Sequence, residues 1–198
     1  MGIYRPSLRD RLRSRARHAL LERLRELVEP EGSRLPDLGG GTGAASVRFA
    51  RGAREIVVRE PDSRRISEGR SAGAPVVFSP GTAESLPFGP GQFDRVVSLM
   101  SFHHLSDAER ALREAERVLV PEGRLVVYDL DPSTPRGRWV AFFEGRVMRH
   151  GFRFCRPAEI RRMARDAGFG DVREERFGAG AFVVARKPEG GDRAAKRL

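Results

Sequence analysis

A glycine run with an acid at its start is the first place where this chain could do chemistry. Asp37-Leu38-Gly39-Gly40-Gly41-Thr42-Gly43 separates a short β-rich stretch from a helical one. Glycines at 39, 41 and 43 let the backbone turn tightly and let a ligand approach where a Cβ would collide. Glu60 ends the next β-rich run, 21 positions beyond Gly39. An acidic side chain at that place can accept hydrogen bonds from both hydroxyls of a ribose. A dinucleotide turn has the pattern G-x-G-x-x-G, whose last glycine packs the helix on the strand. Here Gly43 takes the fifth position from Gly39 and Ala44 the sixth. The turn therefore fits G-x-G-x-G and a ligand without a pyrophosphate, with hydride transfer to a nicotinamide as a minor alternative.

Histidine supplies the second set of candidates, because its proton changes hands near neutral pH. His103 and His104 follow the fourth β-rich run and precede a helix start, at the mouth of the expected pocket. His103 is the candidate general base, and a structural role in holding the loop or contacting the ligand is the favoured alternative. His150 is a weaker candidate, and His18 falls on the surface of the first helix. Cys155, in Phe154-Cys155-Arg156-Pro157, lacks the surroundings of a nucleophile and reads as a packed small residue. No Cys, His and carboxylate spacing completes a metal site, so none is expected.

The elements that must position these groups alternate. Strands are expected over Arg34–Leu38, Glu55–Glu60, Pro75–Ser79, Phe93–Leu99, Arg124–Leu130, Asp171–Phe177 and Ala181–Arg186. Helical stretches fall near 44–51, 63–71, 107–120 and 157–167. The third has a capping box, Ser106-Asp107-Ala108-Glu109, and Pro121-Glu122-Gly123 stops it. Alternation of this kind predicts a mainly parallel sheet covered on both faces, with ligands bound beyond the carboxyl ends of the strands. An earlier helix over 7–28 repeats an apolar residue every four positions, from Leu8 and Leu12 to Leu24 and Val28, with Ser7 as its N-cap. Residues 1–30 thus read as an amphipathic helix packing on a core of residues 31–187. Within that core, 131–153 mixes Trp139, Phe142, Phe143, Met148 and Phe152 with loop residues, as a lid or substrate-pocket wall would. Residues 188–198 read as a frayed tail.

The 198 residues suit one domain, and the net charge of +10 invites a nucleic-acid reading. Of the 37 basic residues only Lys187 and Lys196 are lysines, and the arginines are spread among 27 acids along the whole chain. A dedicated nucleic-acid face concentrates charge and interleaves aromatics, so a general preference for arginine is favoured over RNA or DNA binding. The exception is the segment 5–25, with eight arginines. No apolar run is long enough to cross a bilayer, and charges occupy the place of a secretory signal's apolar core. With a single cysteine, the expectation is a cytoplasmic protein.

Taken together, PDLGGGTG, VVREPDS, GTAESLPFGPGQFDRVVSLMSFHHL and RALREAERVLVPEGRLVVYD resemble the class I S-adenosyl-L-methionine (SAM)-dependent methyltransferases. The branch is the ubiquinone/menaquinone-biosynthesis-like one, with a methyltransferase type 11 domain, and RPAEIRRMARDAGFGDV is similar to its last helix. The resemblance covers about residues 33–187. It implies a three-layer Rossmann-like α/β sandwich with a seven-stranded, mainly parallel sheet whose last strand is antiparallel. It also implies methyl transfer from SAM to a small-molecule acceptor at oxygen, carbon or nitrogen, leaving S-adenosyl-L-homocysteine (SAH). RNA methylation through the basic first helix, or SAM binding without turnover, are the alternatives.

Carried over by position, the resemblance lays the methionyl part of SAM along Gly39, Gly40, Gly41, Thr42 and Gly43, with Asp37 ordering the turn. Glu60 matches the ribose-binding acid and Pro61 flanks the adenine. Thr82 and Ala83 stand beside the adenine, where the family has Asp-Ala-Glu and this chain has Thr82-Ala83-Glu84. Ser98, Leu99 and Met100 line the floor near the sulfonium. Three residues depart from the pattern. Pro36 removes a ladder donor from a central strand, so that strand starts late or carries a bulge. Thr82 replaces an anionic acceptor. Arg59, where a small residue is usual, either pairs with Glu60 or reaches solvent.

Overall fold

A computed structural model describes residues 8–139, 142 and 154–190. Along the chain run α1 (Leu8–Val28), β1 (Arg34–Leu38), α2 (Ser46–Phe49), β2 (Glu55–Glu60), α3 (Ser63–Ser71), β3 (Val77–Pro80) and β4 (Phe93–Leu99). A 3-10 turn, Phe102–His104, leads to α4 (Ala108–Val118), β5 (Leu119–Leu130), α5 (Pro157–Asp166), β6 (Gly170–Phe177) and β7 (Gly180–Arg186). The seven strands form one sheet in the order β3-β2-β1-β4-β5-β7-β6. β1 to β5 pair in parallel, while β7 runs antiparallel to both β5 and β6. This is the Rossmann-like sheet with a reversed last strand that the sequence resemblance implies. The winding reverses between β1 and β4, so the loops after these two strands part and leave a crevice.

Side-chain alternation along the strands builds two cores, one on each face. Val96, Leu125, Val127, Val183 and Ala185 point to the face covered by Leu112 and Ala115 of α4 and Ile160 and Met163 of α5. Their neighbours Val97, Val126, Phe182 and Val184 point to the opposite face, against Leu21, Leu24 and Val28 of α1 and Phe49 of α2.

Only the C-terminal half of α1 is seated. Leu21, Leu24, Leu27 and Val28 are buried, whereas residues 14–19 are exposed, Ala16 and Ala19 among them. Two arginines fix the seated end. Arg124 at the start of β5 donates to the Leu27 carbonyl at 2.7 Å, and Arg95 on β4 donates to the Val28 carbonyl at 2.7 Å. Guanidinium groups on the last carbonyls of a helix satisfy orphan acceptors and oppose the negative end of its dipole. Glu29 completes the clamp 2.9 Å from Arg124, which holds its carboxyl below the usual range. Further along, Arg23 of α1 grips Glu175 of β6 with two parallel bonds of 2.7 and 2.5 Å.

Several local expectations shift by a few residues. Helix α4 begins one position later than the capping box suggests, because Asp107 accepts from the Arg110 N–H at 2.9 Å and Ser106 is drawn to Glu84 instead. Pro121-Glu122-Gly123 ends α4 but does not separate it from the next strand. These residues lie inside β5 as an irregularity, with Glu122 at φ 63°, and the register to β4 jumps from Phe93↔Leu119 to Arg95↔Arg124. The 44–51 helix shrinks to Ser46–Phe49. β1 starts at Arg34 despite Pro36, and its ladder to β2 runs through all five residues, while its register to β4 is set at Asp37↔Val97. Ser7, residues 140–141 and 143–153 with Phe143, Met148, His150 and Phe152, and residues 191–198 lie outside the described residues.

Replacing Arg124 by methionine keeps the stem and removes the clamp on Leu27 and Glu29. Because bonds to charged groups contribute about 1.5–3 kcal/mol, Arg124→Met is expected to lower the melting temperature by about 4–8 °C for a domain of this size. The solvated Arg64→Ala should leave it unchanged. Circular-dichroism melts of the two variants beside the parent check this.

Candidate active site

The crevice sits at the carboxyl ends of β1, β2 and β4, and a carboxylate organises it. Glu60, the last residue of β2, is buried, and its two oxygens accept from different backbone N–H groups: Gly41 at 3.0 Å and Asp62 at 2.9 Å. Its rotamer is thereby set, and the remaining lone pairs face a cavity of about 350 Å³. Pro61, Thr82, Ala83 and His104 line the same cavity.

The glycine turn is shaped as much by the protein as by what it could bind. Gly39, Gly41 and Gly43 all have φ between 60° and 76°, a region that favours glycine. A Cβ at Gly39 would strike the Ser101 side chain, and one at Gly43 would press on Val76. At Gly41 the nearest atom would be an Arg65 guanidinium nitrogen, 3.3 Å away. Of the three glycines, Gly41 is the one whose bare face meets a movable side-chain end and not packed core. It faces a second cavity of about 610 Å³, which Gly39, Gly40 and Thr42 line with Leu99 and Met100. Gly39, Arg65 and Met100 border both spaces, so the two cavities adjoin there. Met100 holds φ 53°, uncommon for a residue with a side chain and of the kind that clusters at functional sites.

Asp37 lies at the floor of the larger cavity. It is 1% exposed; one oxygen accepts from Ser46 Oγ at 2.6 Å and the other has no hydrogen-bond partner. Burial, opposed by the Ser46 hydroxyl and reinforced by the nearby Glu60 charge, pushes its pKa from 3.8 up to about 6. A buried carboxylate oxygen without a donor is costly unless something supplies one. A cation with N–H groups would suit it.

The departures in the motif resolve in ways the sequence did not separate. Arg59 neither pairs with Glu60 nor reaches solvent. It is buried and donates to the carbonyls of Thr82, Pro80 and Ser85 and to Ser79 Oγ. Its guanidinium thus pins the loop after β3 as the wall of the smaller cavity. Burial would raise the Glu84 carboxyl, but N–H groups of Glu84 and Asp107 and the hydroxyls of Ser106 and Thr82 hold it below the usual range. Glu84 is therefore committed to the start of α4 and Thr82 partly committed to Glu84.

Ser98 is buried and bonds Ser101 at 2.8 Å, and Ser101 in turn donates to the Leu38 carbonyl at 2.5 Å. Ser98 borders neither cavity, whereas Leu99 and Met100 do. His103 is 3% exposed and borders neither cavity. Its backbone N–H and its Nδ1 both reach the Asp129 carboxylate, at 2.9 and 2.8 Å, and its ring stacks on Phe154 at 4.3 Å. His104, exposed, is the histidine that faces a cavity. Trp139 and Phe142 are more than 60% exposed and border neither space. Among residues the sequence left unmarked as site residues are Asp129, Arg65, and Arg17, Leu20 and Leu21 of α1. Asp129 carries a readable signal, an acid near the end of a strand. The others depend on how distant elements pack.

Comparison with known proteins fits this geometry. Residues 36–127 match the family described as a methyltransferase domain. The demethylmenaquinone methyltransferase of Thermus thermophilus is 32% identical over 192 residues, covering 81% of this chain and 86% of that protein. That of Beutenbergia cavernae is 35% identical over 111 residues, and there the chain spans 45% of the relative's length. A Thermotoga maritima structure described as a SAM-dependent methyltransferase, possible histamine N-methyltransferase, superposes with a TM-score of 0.69 at 27% identity, covering 89% of this chain and 95% of that one. A chain with this sheet, this turn and these relatives belongs to the class I SAM-dependent methyltransferases, in the ubiquinone/menaquinone-biosynthesis-like branch.

Proposed function

We propose that this protein transfers the methyl group of SAM to a small-molecule acceptor and releases SAH. The observation that carries the reading is the pair of adjoining cavities with an acid committed to each: Glu60 beside the smaller and Asp37 under the larger. SAM is an adenosine joined through a sulfonium to a zwitterionic amino-acid tail, and the residues present suit both ends. Glu60 accepts from the ribose hydroxyls, while Pro61, Thr82 and Ala83 stand against the adenine. The orphaned Asp37 oxygen accepts from the tail's ammonium, and Gly41 leaves room for the tail to lie on the backbone. SAM brings an activated methyl on a positive sulfur, so the chain need only align a nucleophile and exclude water. Met100 and Leu99 stand where the cavities adjoin and shape that approach.

His103 acts in this reading as a positioning residue. Held at two points by Asp129 and by Phe154, it fixes the turn from Met100 to His104 against the cofactor. If the acceptor needs deprotonation, His104, which faces a cavity, is the better placed base. Arg59 and Thr82 do not disturb Glu60, so nothing in their placement favours binding without turnover.

Two outcomes follow from these roles. Gly41→Arg, which fills the open face of the turn, and Glu60→Ala, which removes the ribose acceptor, should each weaken SAH by more than tenfold in calorimetric titration. Wild-type affinity in both would remove the site.

Asp37 makes a pH-dependent claim. Its folded pKa lies above its ordinary value, so its contribution to stability is fully present below pH 3.8 and is lost as pH rises through about 6. Asp37→Asn removes the cost of ionising a buried acid at pH 7. The variant should be more stable there, by on the order of 3 kcal/mol at most, and that gain should vanish toward pH 4. Its SAH affinity should nonetheless fall. In the parent, affinity should drop about fivefold between pH 6 and 5 as Asp37 takes up a proton while the ligand's ammonium stays charged; in the variant this slope should be absent. Melting curves and titrations across pH 4–8 measure both.

A further inference from the structure

The larger cavity has a second wall that the cofactor's tail does not require. Arg17, Leu20 and Leu21 of α1 line it together with Leu99 and Met100. None of these belongs to the glycine turn, and the space they enclose continues from the junction at Met100, where a methyl group would be delivered. Its surface divides in two. The leucines and Met100 are apolar, while Glu68 of α3 and Arg17 are charged and exposed, and no hydrogen bond or ion pair holds the Arg17 guanidinium among the described residues. Arg65, the other cation here, lies over Gly41 and borders both cavities, which commits it to the cofactor side. Arg17 borders the larger cavity alone.

The seated half of α1, which carries Leu20 and Leu21 and follows directly on Arg17, is fixed from outside the site. Arg23 is forked onto Glu175 and the helix end is clamped by Arg95 and Arg124, so Leu20 and Leu21 are held as part of the cavity lining, with Arg17 one turn before them on the same helix. A guanidinium at the edge of an apolar slot recognises a planar anionic group bidentately while the slot takes an apolar body. We infer that the outer part of this cavity is the acceptor site, and that the acceptor is a small molecule with an apolar body and a carboxylate that pairs with Arg17. The inference rests on the methyltransfer reading and gives it a substrate class.

The test uses the full chain saturated with SAH and calorimetric titration with matched probes: benzoate, trans-cinnamate and hexanoate, each beside its uncharged amide. At least one carboxylate should bind the SAH-loaded protein about tenfold or more tighter than its amide. Arg17→Gln should abolish that preference with SAH affinity kept within about twofold, and Arg17→Lys should restore part of it. The preference should shrink as salt rises, since the rim is solvated. Equal affinity for every acid and amide pair, no binding by any carboxylate, or a preference that survives in Arg17→Gln would each overturn the assignment. So would carboxylate binding that SAH abolishes, which would give the arginine to the cofactor's own carboxylate. Failure of SAH itself to bind the parent would strike the cofactor reading and is seen in a separate titration.

Discussion

The Glu60 carboxylate carries the pairing of β1 and β2 past the last rung of their ladder and into the turn that follows β1. Bonds from the Gly41 and Asp62 N–H groups tie the turn after β1 to the end of β2, so the curvature of one loop depends on the rotamer of a side chain on the neighbouring strand. A third bond, Gly39 N–H to the Arg59 carbonyl at 2.7 Å, runs alongside. From this knot the rest follows. Ser101 can approach Gly39 because no Cβ stands there, its hydroxyl reaches the Leu38 carbonyl, and the loop after β4 is thereby drawn against the loop after β1. The crevice opened by the reversal of winding is narrowed to two adjoining cavities with Met100 between them.

The side of the site that faces the acceptor is built by a different principle. No backbone turn defines it; a helix does, and that helix is held by arginines from β4 and β5 and by a fork to β6. Arginine suits this task because its guanidinium can cap a helix carbonyl and pair with a carboxylate at once. The large number of arginines in the chain, which reads at first as a nucleic-acid signal, is partly spent on such internal contacts. Arg59, Arg95, Arg117 and Arg124 all donate to backbone carbonyls.

How much of this was legible in the sequence depended on range. The glycine turn, Glu60 and the strand ends are local signals, and each element was found to within a few residues because hydrophobic alternation and turn residues act on neighbours. Pro121-Glu122-Gly123 was legible as a helix stop but not as part of β5, since pairing with β4 carries the strand through the irregularity. Arg59 shows the limit most sharply. Its neighbour Glu60 suggested an ion pair, and solvent the alternative, yet its partners are a serine hydroxyl and three carbonyls 20 to 26 positions away. Nothing local distinguishes those outcomes. The same holds for Arg17, Leu20 and Leu21, whose bearing on the site exists only once α1 is seated across the sheet.

The placement of charge bears on the proposed reaction itself. Methyl transfer discharges a sulfonium, so an anion set against the sulfur would stabilise the reactant more than the transition state and would slow the step. The acids of this site are kept off the shared border: Glu60, Asp62 and Glu84 line the smaller cavity alone, and Asp37 and Glu68 the larger one alone. What borders both spaces is Gly39, Met100 and Arg65, with no carboxylate among them. Arg65 is exposed and its field is screened by solvent, but its sign is the one that favours loss of positive charge from the sulfur. In the proposed reading, binding energy is thus drawn from the two ends of the donor while its reactive centre is left beside an apolar side chain, an arrangement that would hold the molecule firmly without stabilising the charge it must lose.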